Sequence, residues 1–212
     1  MRTSRLEAFS DGVLAIIITI MVLGLREPGG KDLASLWHTA GNGLLNYLLS
    51  FVYVGIYWTN HHHMFQLTAR VTGGILWANL ALLFFLSLFP FTTQWAAATG
   101  YAQTPVVVYG VNLLTAGIAY YVLQTVIIRS QGPDSALRKA IGNDFKGRVS
   151  PVAYAVGCVA ALFGGPGKWV AVACYVAVAA MWIIPDRRIE TVIAVSPAPS
   201  QDEHEEEEEA RG

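Results

Sequence analysis

Charged side chains are scarce in this 212-residue chain: Asp, Glu, Lys and Arg make up 14% of it, against 54% hydrophobic residues. A soluble domain of this length needs more polar surface, so the balance points to a polytopic membrane protein. Cysteine is almost absent. Cys158 and Cys174 both lie in apolar segments, where burial as small hydrophobes is expected, and no disulfide framework is expected. Acidic residues are concentrated in the tail Asp202–Glu209, leaving the membrane portion mildly basic. That distribution argues against nucleic acid as a partner and for basic flanks on a membrane face. No small-residue cleavage site follows the first apolar run, where Arg26-Glu27-Pro28 stands instead. The first run is therefore expected to be a retained helix rather than a signal peptide. No segment brings a nucleophile, a base and oxyanion donors together, so an enzyme is not expected.

Long apolar runs are what the chain has. Crossing about 30 Å of hydrocarbon takes about 20 helical residues, and six segments qualify, at 5–25, 44–65, 72–97, 105–128, 150–165 and 168–185. The fifth is short, as a tilted or incomplete span would be. Pro28-Gly29-Gly30, Gly100 to Pro105, Gly132-Pro133 and Gly164-Gly165-Pro166-Gly167 punctuate them. The expected organisation is a six-helix transmembrane domain over 1–190 and a disordered acidic C-terminal tail over 191–212, whose glutamate run cannot bury a core. If the six spans alternate sides, Arg2, Arg5, Arg70, Arg129, Arg138, Lys139, Lys146, Arg148, Arg187 and Arg188 share one side with both termini. Only Arg26, Lys31 and Lys168 face the other, which places both termini in the cytoplasm and the protein in the cell (inner) membrane.

That topology gathers three polar clusters at one depth. The stretch Arg5 to Asp11 opens helix 1, Trp58-Thr59-Asn60-His61-His62-His63 closes helix 2, and Trp77-Ala78-Asn79 lies two turns into helix 3. An ionisable group inside a span marks a functional-site candidate. At 100° per residue, Arg5, Phe9, Gly12, Thr19, Ile20 and Leu23 all fall within about 60° of Ile16. Ser10, Asp11 and Glu7 lie about 120° to 180° away, so the acidic group and the apolar stripe face different neighbours. Donors able to satisfy Asp11 are a histidine of the 61–63 run, the indoles of Trp58 and Trp77, and Asn79. The layer reads either as glue between helices or as part of a functional path, and ordinary helix packing accounts for the stripe by itself. His61, His62 and His63 point about 100° apart on a helix and cannot jointly hold one metal ion. His38 lies on the opposite side, so no second haem ligand is available.

Arg5-x-x-x-Phe9-Ser10-Asp11 near the start of a six-helix chain resembles the signature of the transmembrane protein 175 family of endolysosomal potassium channels and their bacterial homologues. Trp58-x-x-His61-His62-x-x-Phe65, Trp77-x-Asn79 and Ser87-Leu88-x-Pro90-Phe91 extend the resemblance over helices 1–3. It implies an all-α membrane protein with six transmembrane helices per chain, of the bacterial single-repeat type, in which helix 1 lines a central pore in a homotetramer. The resemblance also implies a pore narrowed by large apolar side chains, with no filter of backbone carbonyls. Ile16, Ile20 and Leu23 then form the constriction, which can gate by dewetting. Thr19 is the hydroxyl candidate for preferring K⁺ over Na⁺, with a backbone-bonded threonine as its other reading. Arg5, Phe9, Ser10, Asp11, Trp58, His61, His62, Trp77 and Asn79 carry the motif and brace the helices.

The expected function is passive conduction of monovalent cations, K⁺ above Na⁺, in the lipid bilayer, with no cofactor and no resident metal. A proton-coupled secondary transporter working through Asp11 and His61–His63 is the alternative. Inverted repeats and a broken central helix would favour it; neither is visible, as helix 1 carries only Gly12 near its start.

Overall fold

The structure, a computed structural model, describes residues 3–132, 135–142 and 144–183. The expected tail over 191–212 lies outside the described residues. Among the described residues eight helices follow one another: α1 (Thr3–Val22), α2 (Leu33–Gln66), α3 (Gly73–Ser87), α4 (Phe89–Ala98), α5 (Gln103–Gln131), α6 (Ala136–Ile141), α7 (Phe145–Leu162) and α8 (Gly167–Ile183). There is no strand among the described residues. The chain is an all-helical membrane fold, with a six-helix core in which α3 and α4 together form the third span and α6 is an extra short helix.

Local chemistry sets the boundaries, and several differ from the sequence expectation. The first helix stops at Val22, not 25, and turns through Leu23 to Leu25 ahead of Pro28. The second begins at Leu33, eleven residues before the apolar run at 44, because the Asp32 carboxylate accepts the Ser35 N–H at 2.7 Å. This cap satisfies one of the orphan donors of the first turn and lets the helix start in a polar stretch. The expected single span over 72–97 is broken between Ser87 and Phe89. Pro90 occupies the first turn of α4, where its missing N–H costs little, but that same lack prevents α3 from continuing. The fifth span starts at Phe145 rather than 150, capped by Asp144, which accepts the Gly147 N–H at 2.8 Å, and holds Pro151 inside it.

Gly73–Ala98, taken across its bend, and Gln103–Gln131 are long and apolar enough to cross a membrane by composition alone. α8 is apolar but only 17 residues long, and the remaining spans are diluted by polar residues. α1 packs on α2, α3 and α4, while α5, α7 and α8 form a second layer against α2 and α3. The core between them is aromatic: Phe89 is fully buried and meets Tyr53, Tyr57 and Tyr109 edge-on. Such edge-to-face pairs add to the area they bury. Tyr53 donates its hydroxyl to the Tyr175 carbonyl, tying α2 to α8.

Candidate functional site

The polar residues of the motif meet where α1 crosses the last turns of α2 and the start of α3. Along α1, Leu6, Ser10, Leu14, Ile17 and Met21 are buried, at the helical spacing of one face. Ser10 is wholly inaccessible; its hydroxyl donates to the Leu6 carbonyl at 2.9 Å and accepts from Asn79 Nδ2 at 2.9 Å. The Asn79 Oδ1 in turn accepts from His61 Nε2 at 2.8 Å. Because the Asn79 amide nitrogen is committed to Ser10, its oxygen faces His61, and the imidazole must carry its proton on Nε2. Every proton in this buried string points one way, from α2 through α3 to the backbone of α1. His61 Nδ1 is left buried without a partner, and the ring stacks on Phe65 with centroids 4.4 Å apart.

A second string runs on the outside. The Trp58 indole N–H donates to Asp11 Oδ1 at 2.9 Å, and His62 Nδ1 meets Glu7 Oε1 at 2.5 Å. His62 Nε2 lies 2.8 Å from the Gln66 amide nitrogen, so the ring donates from Nδ1 to the carboxylate and accepts on Nε2. Both acids of α1 are therefore held by α2, in charge-assisted bonds of the stronger kind.

Of the donors considered for Asp11, the structure selects Trp58. Trp77 is 76% exposed on the outside of α3, and Asn79 serves Ser10 instead. His61 and His62 separate, one inward and one onto Glu7. Among the described residues no group of three or more His, Cys, Asp or Glu is placed to hold a metal ion. Glu7 and Gln66 join the site although the motif does not include them. Their signal was positional: Glu7 precedes Asp11 by four residues and Gln66 follows His62 by four, each one turn away on the same face.

Opposite the buried face of α1, Phe9, Ile16, Ile20 and Leu23 are 51, 58, 50 and 80% exposed. Arg5, Gly12 and Thr19 lie on the same exposed face. The Thr19 hydroxyl donates to Ile16 O at 2.9 Å and to Ala15 O at 3.1 Å, which leaves the oxygen's lone pairs outward. The motif helix is clamped on one side by polar bonds and, among the described residues, bare on the other with apolar side chains.

The comparisons agree. Residues 5–90 match the family model described as the endosomal/lysosomal potassium channel TMEM175. A protein of Chryseobacterium sp. named a potassium channel is 50% identical over 190 residues, covering 90% of this chain and 97% of that one. The crystal structure of a lysosomal potassium-selective channel TMEM175 homolog from Chamaesiphon minutus superposes with a TM-score of 0.71 at 28% identity, over 87% of this chain and 97% of that one. The human endosomal/lysosomal proton channel TMEM175 is 33% identical over 112 residues, 48% of this chain but 22% of its own length. The chain belongs to the TMEM175 family of ion channels, and it is not an enzyme.

Proposed function

We propose that this protein is a passive cation channel that prefers K⁺ over Na⁺ and conducts through the axis of a homotetramer lined by α1. The observation that carries the reading is the bare apolar face of α1, which no other described element covers. Four copies turned inward would set Ile16, Ile20 and Leu23 around the axis, with Ile16 as the narrowest ring. A ring of apolar side chains passes ions only when hydrated, so small rotations of α1 suffice to gate it. Thr19 faces the same axis with an oxygen free to meet a partly dehydrated K⁺. The names of the bacterial relatives, potassium channels at 50, 38 and 39% identity, support the choice of ion. Both termini are placed on the cytoplasmic side of the cell membrane by the distribution of Lys and Arg.

Asp11 and the histidines then brace the pore helix rather than line the path. The alternative, a proton-coupled transporter relaying through this layer, fits the geometry less well. The buried string runs through an amide and ends on a backbone carbonyl, so it offers no return route for a proton. The deciding experiment is purified protein in liposomes under a K⁺ or a Na⁺ gradient, with membrane potential read by a voltage-sensitive dye. Conductive flux, larger for K⁺, is expected. Saturable exchange that requires a counter-ion, with no conductive leak, would refute the channel.

A further inference from the structure

A cleft far from the motif has a different chemistry. It lies between the last turns of α5, the short α6 and the start of α7, with about 1110 Å³ of empty space counting its open side. Arg129, Arg138 and Arg148, one from each of the three elements, line it, and all three are exposed. Asp144 is the acid in its wall, but that carboxylate is turned to the Gly147 N–H and to Gln124 Nε2, 2.8 and 3.4 Å away. Among the described residues the cleft therefore carries two positive charges in excess. Lys139 lies beside Arg138 on α6, and the Lys146 ammonium sits 5.7 Å from the centre of the Trp182 ring.

From Arg148 an apolar track descends α7. Val152, Val156, Val159 and Phe163 follow at helical spacing on that face and are 63, 52, 54 and 82% exposed. Ala155, Val156, Val159, Ala160 and Phe163 line an open groove with no polar atom on its accessible surface. The eleven helical steps from Arg148 to Val159 rise about 16 Å, close to the half-thickness of a bilayer core of about 30 Å. α7 packs on α5 and α8 and makes no substantial contact with α1, so the track lies on the side of the subunit away from the motif helix.

We propose that this cleft and track bind an anionic phospholipid, its phosphate among Arg129, Arg138 and Arg148 and an acyl chain along Val152, Val156 and Val159. Guanidinium groups suit a phosphate through paired hydrogen bonds, and basic pockets at a membrane face are built to take such headgroups. The depth of the apolar groove below the arginines distinguishes a lipid from a soluble phosphate ester, which would use the cleft alone.

The full-length protein in detergent, given equal amounts of phosphatidylglycerol and phosphatidylcholine, would be weighed intact by native mass spectrometry. Retention of phosphatidylglycerol in preference to phosphatidylcholine by about tenfold is expected from two excess charges. The triple variant Arg129→Gln, Arg138→Gln, Arg148→Gln should lose that preference, and Val159→Trp should weaken lipid retention while leaving the arginines intact. Equal retention of the two lipids by the unaltered protein overturns the site, without recourse to any variant. So does an unchanged preference in an intact triple variant. If glycerol 3-phosphate displaces the lipid signal at equal concentration, the occupant is a soluble phosphate and the lipid assignment fails. The measurement is independent of conduction: a chain that conducts K⁺ but shows no lipid preference refutes this site alone.

Discussion

At Asn79 two neighbours make opposite demands, since Ser10 needs a donor and His61 an acceptor, and a primary amide is the side chain that meets both. Asn79→Leu would leave the His61 Nε2–H buried and unsatisfied, at about 1–3 kcal/mol, and would also take from the Ser10 oxygen the bond it accepts, although the Ser10 O–H keeps the Leu6 carbonyl. Ser10→Ala strands the amide nitrogen alone. Thermal melting of the purified protein should therefore fall further for Asn79→Leu than for Ser10→Ala; equal shifts would mean the string contributes nothing beyond packing. The Trp58 indole holds Asp11 by a bond to a charged group, worth about 1.5–3 kcal/mol. Trp58→Phe should lower stability, and Asp11→Asn should cost less in that background than in the native one, as a double-mutant cycle reads directly. At Ile16 the expected change is functional. Ile16→Asn hydrates the proposed constriction, raising ion flux in liposomes and weakening the preference for K⁺ while the oligomer stays intact.

Between elements, the contact of α5, α7 and α8 turns on one tyrosine. A Cβ at Gly110 would fall on the Tyr175 hydroxyl and within 2.7 Å of Cys158 Sγ, and one at Gly157 would come within 2.6 Å of the Tyr175 ring. Overfilling such a junction costs about 1–3 kcal/mol. Gly157→Ala and Gly110→Ala should both destabilise, and Tyr175→Phe should restore part of the loss in Gly110→Ala but not in Gly157→Ala, because only the first clash is with the hydroxyl. None of this junction was legible in the sequence, where Gly110 and Gly157 are two glycines among twenty. The number of spans and the phase of α1 were legible, because length and a 3.6-residue period are local properties. The start of α2 was missed because a single capping carboxylate at Asp32 outweighed weak apolarity over 33–43. The break before Pro90 was missed because α3 and α4 together read as one hydrophobic run. Which donor Asp11 would take depended on how α2 and α3 are rotated against α1, a tertiary fact that periodicity does not hold.

For the whole molecule, the two layers divide the labour. Under the proposed assembly, α1 with its clamps on α2 and α3 supplies the pore helix, and α5, α7 and α8 form the outer support. In that assembly, a chain ending after residue 190 should keep the same number of subunits and the same K⁺ flux, measured by light scattering and in liposomes. Loss of either would assign the acidic tail a part in assembly or conduction. The clamp also has a consequence in time. Ser10 and Asn79 are 69 residues apart, and synthesis proceeds at about 5–20 residues per second, so the partner of Ser10 arrives about 3–14 s after it. During that interval Trp58 and His62 of α2 reach Asp11 and Glu7 first, but Ser10 still lacks its Asn79 donor, and α1 should linger beside the insertion machinery until α3 emerges. Nascent chains arrested before Trp77 should crosslink to that machinery through α1, and chains arrested beyond Ala98 should not.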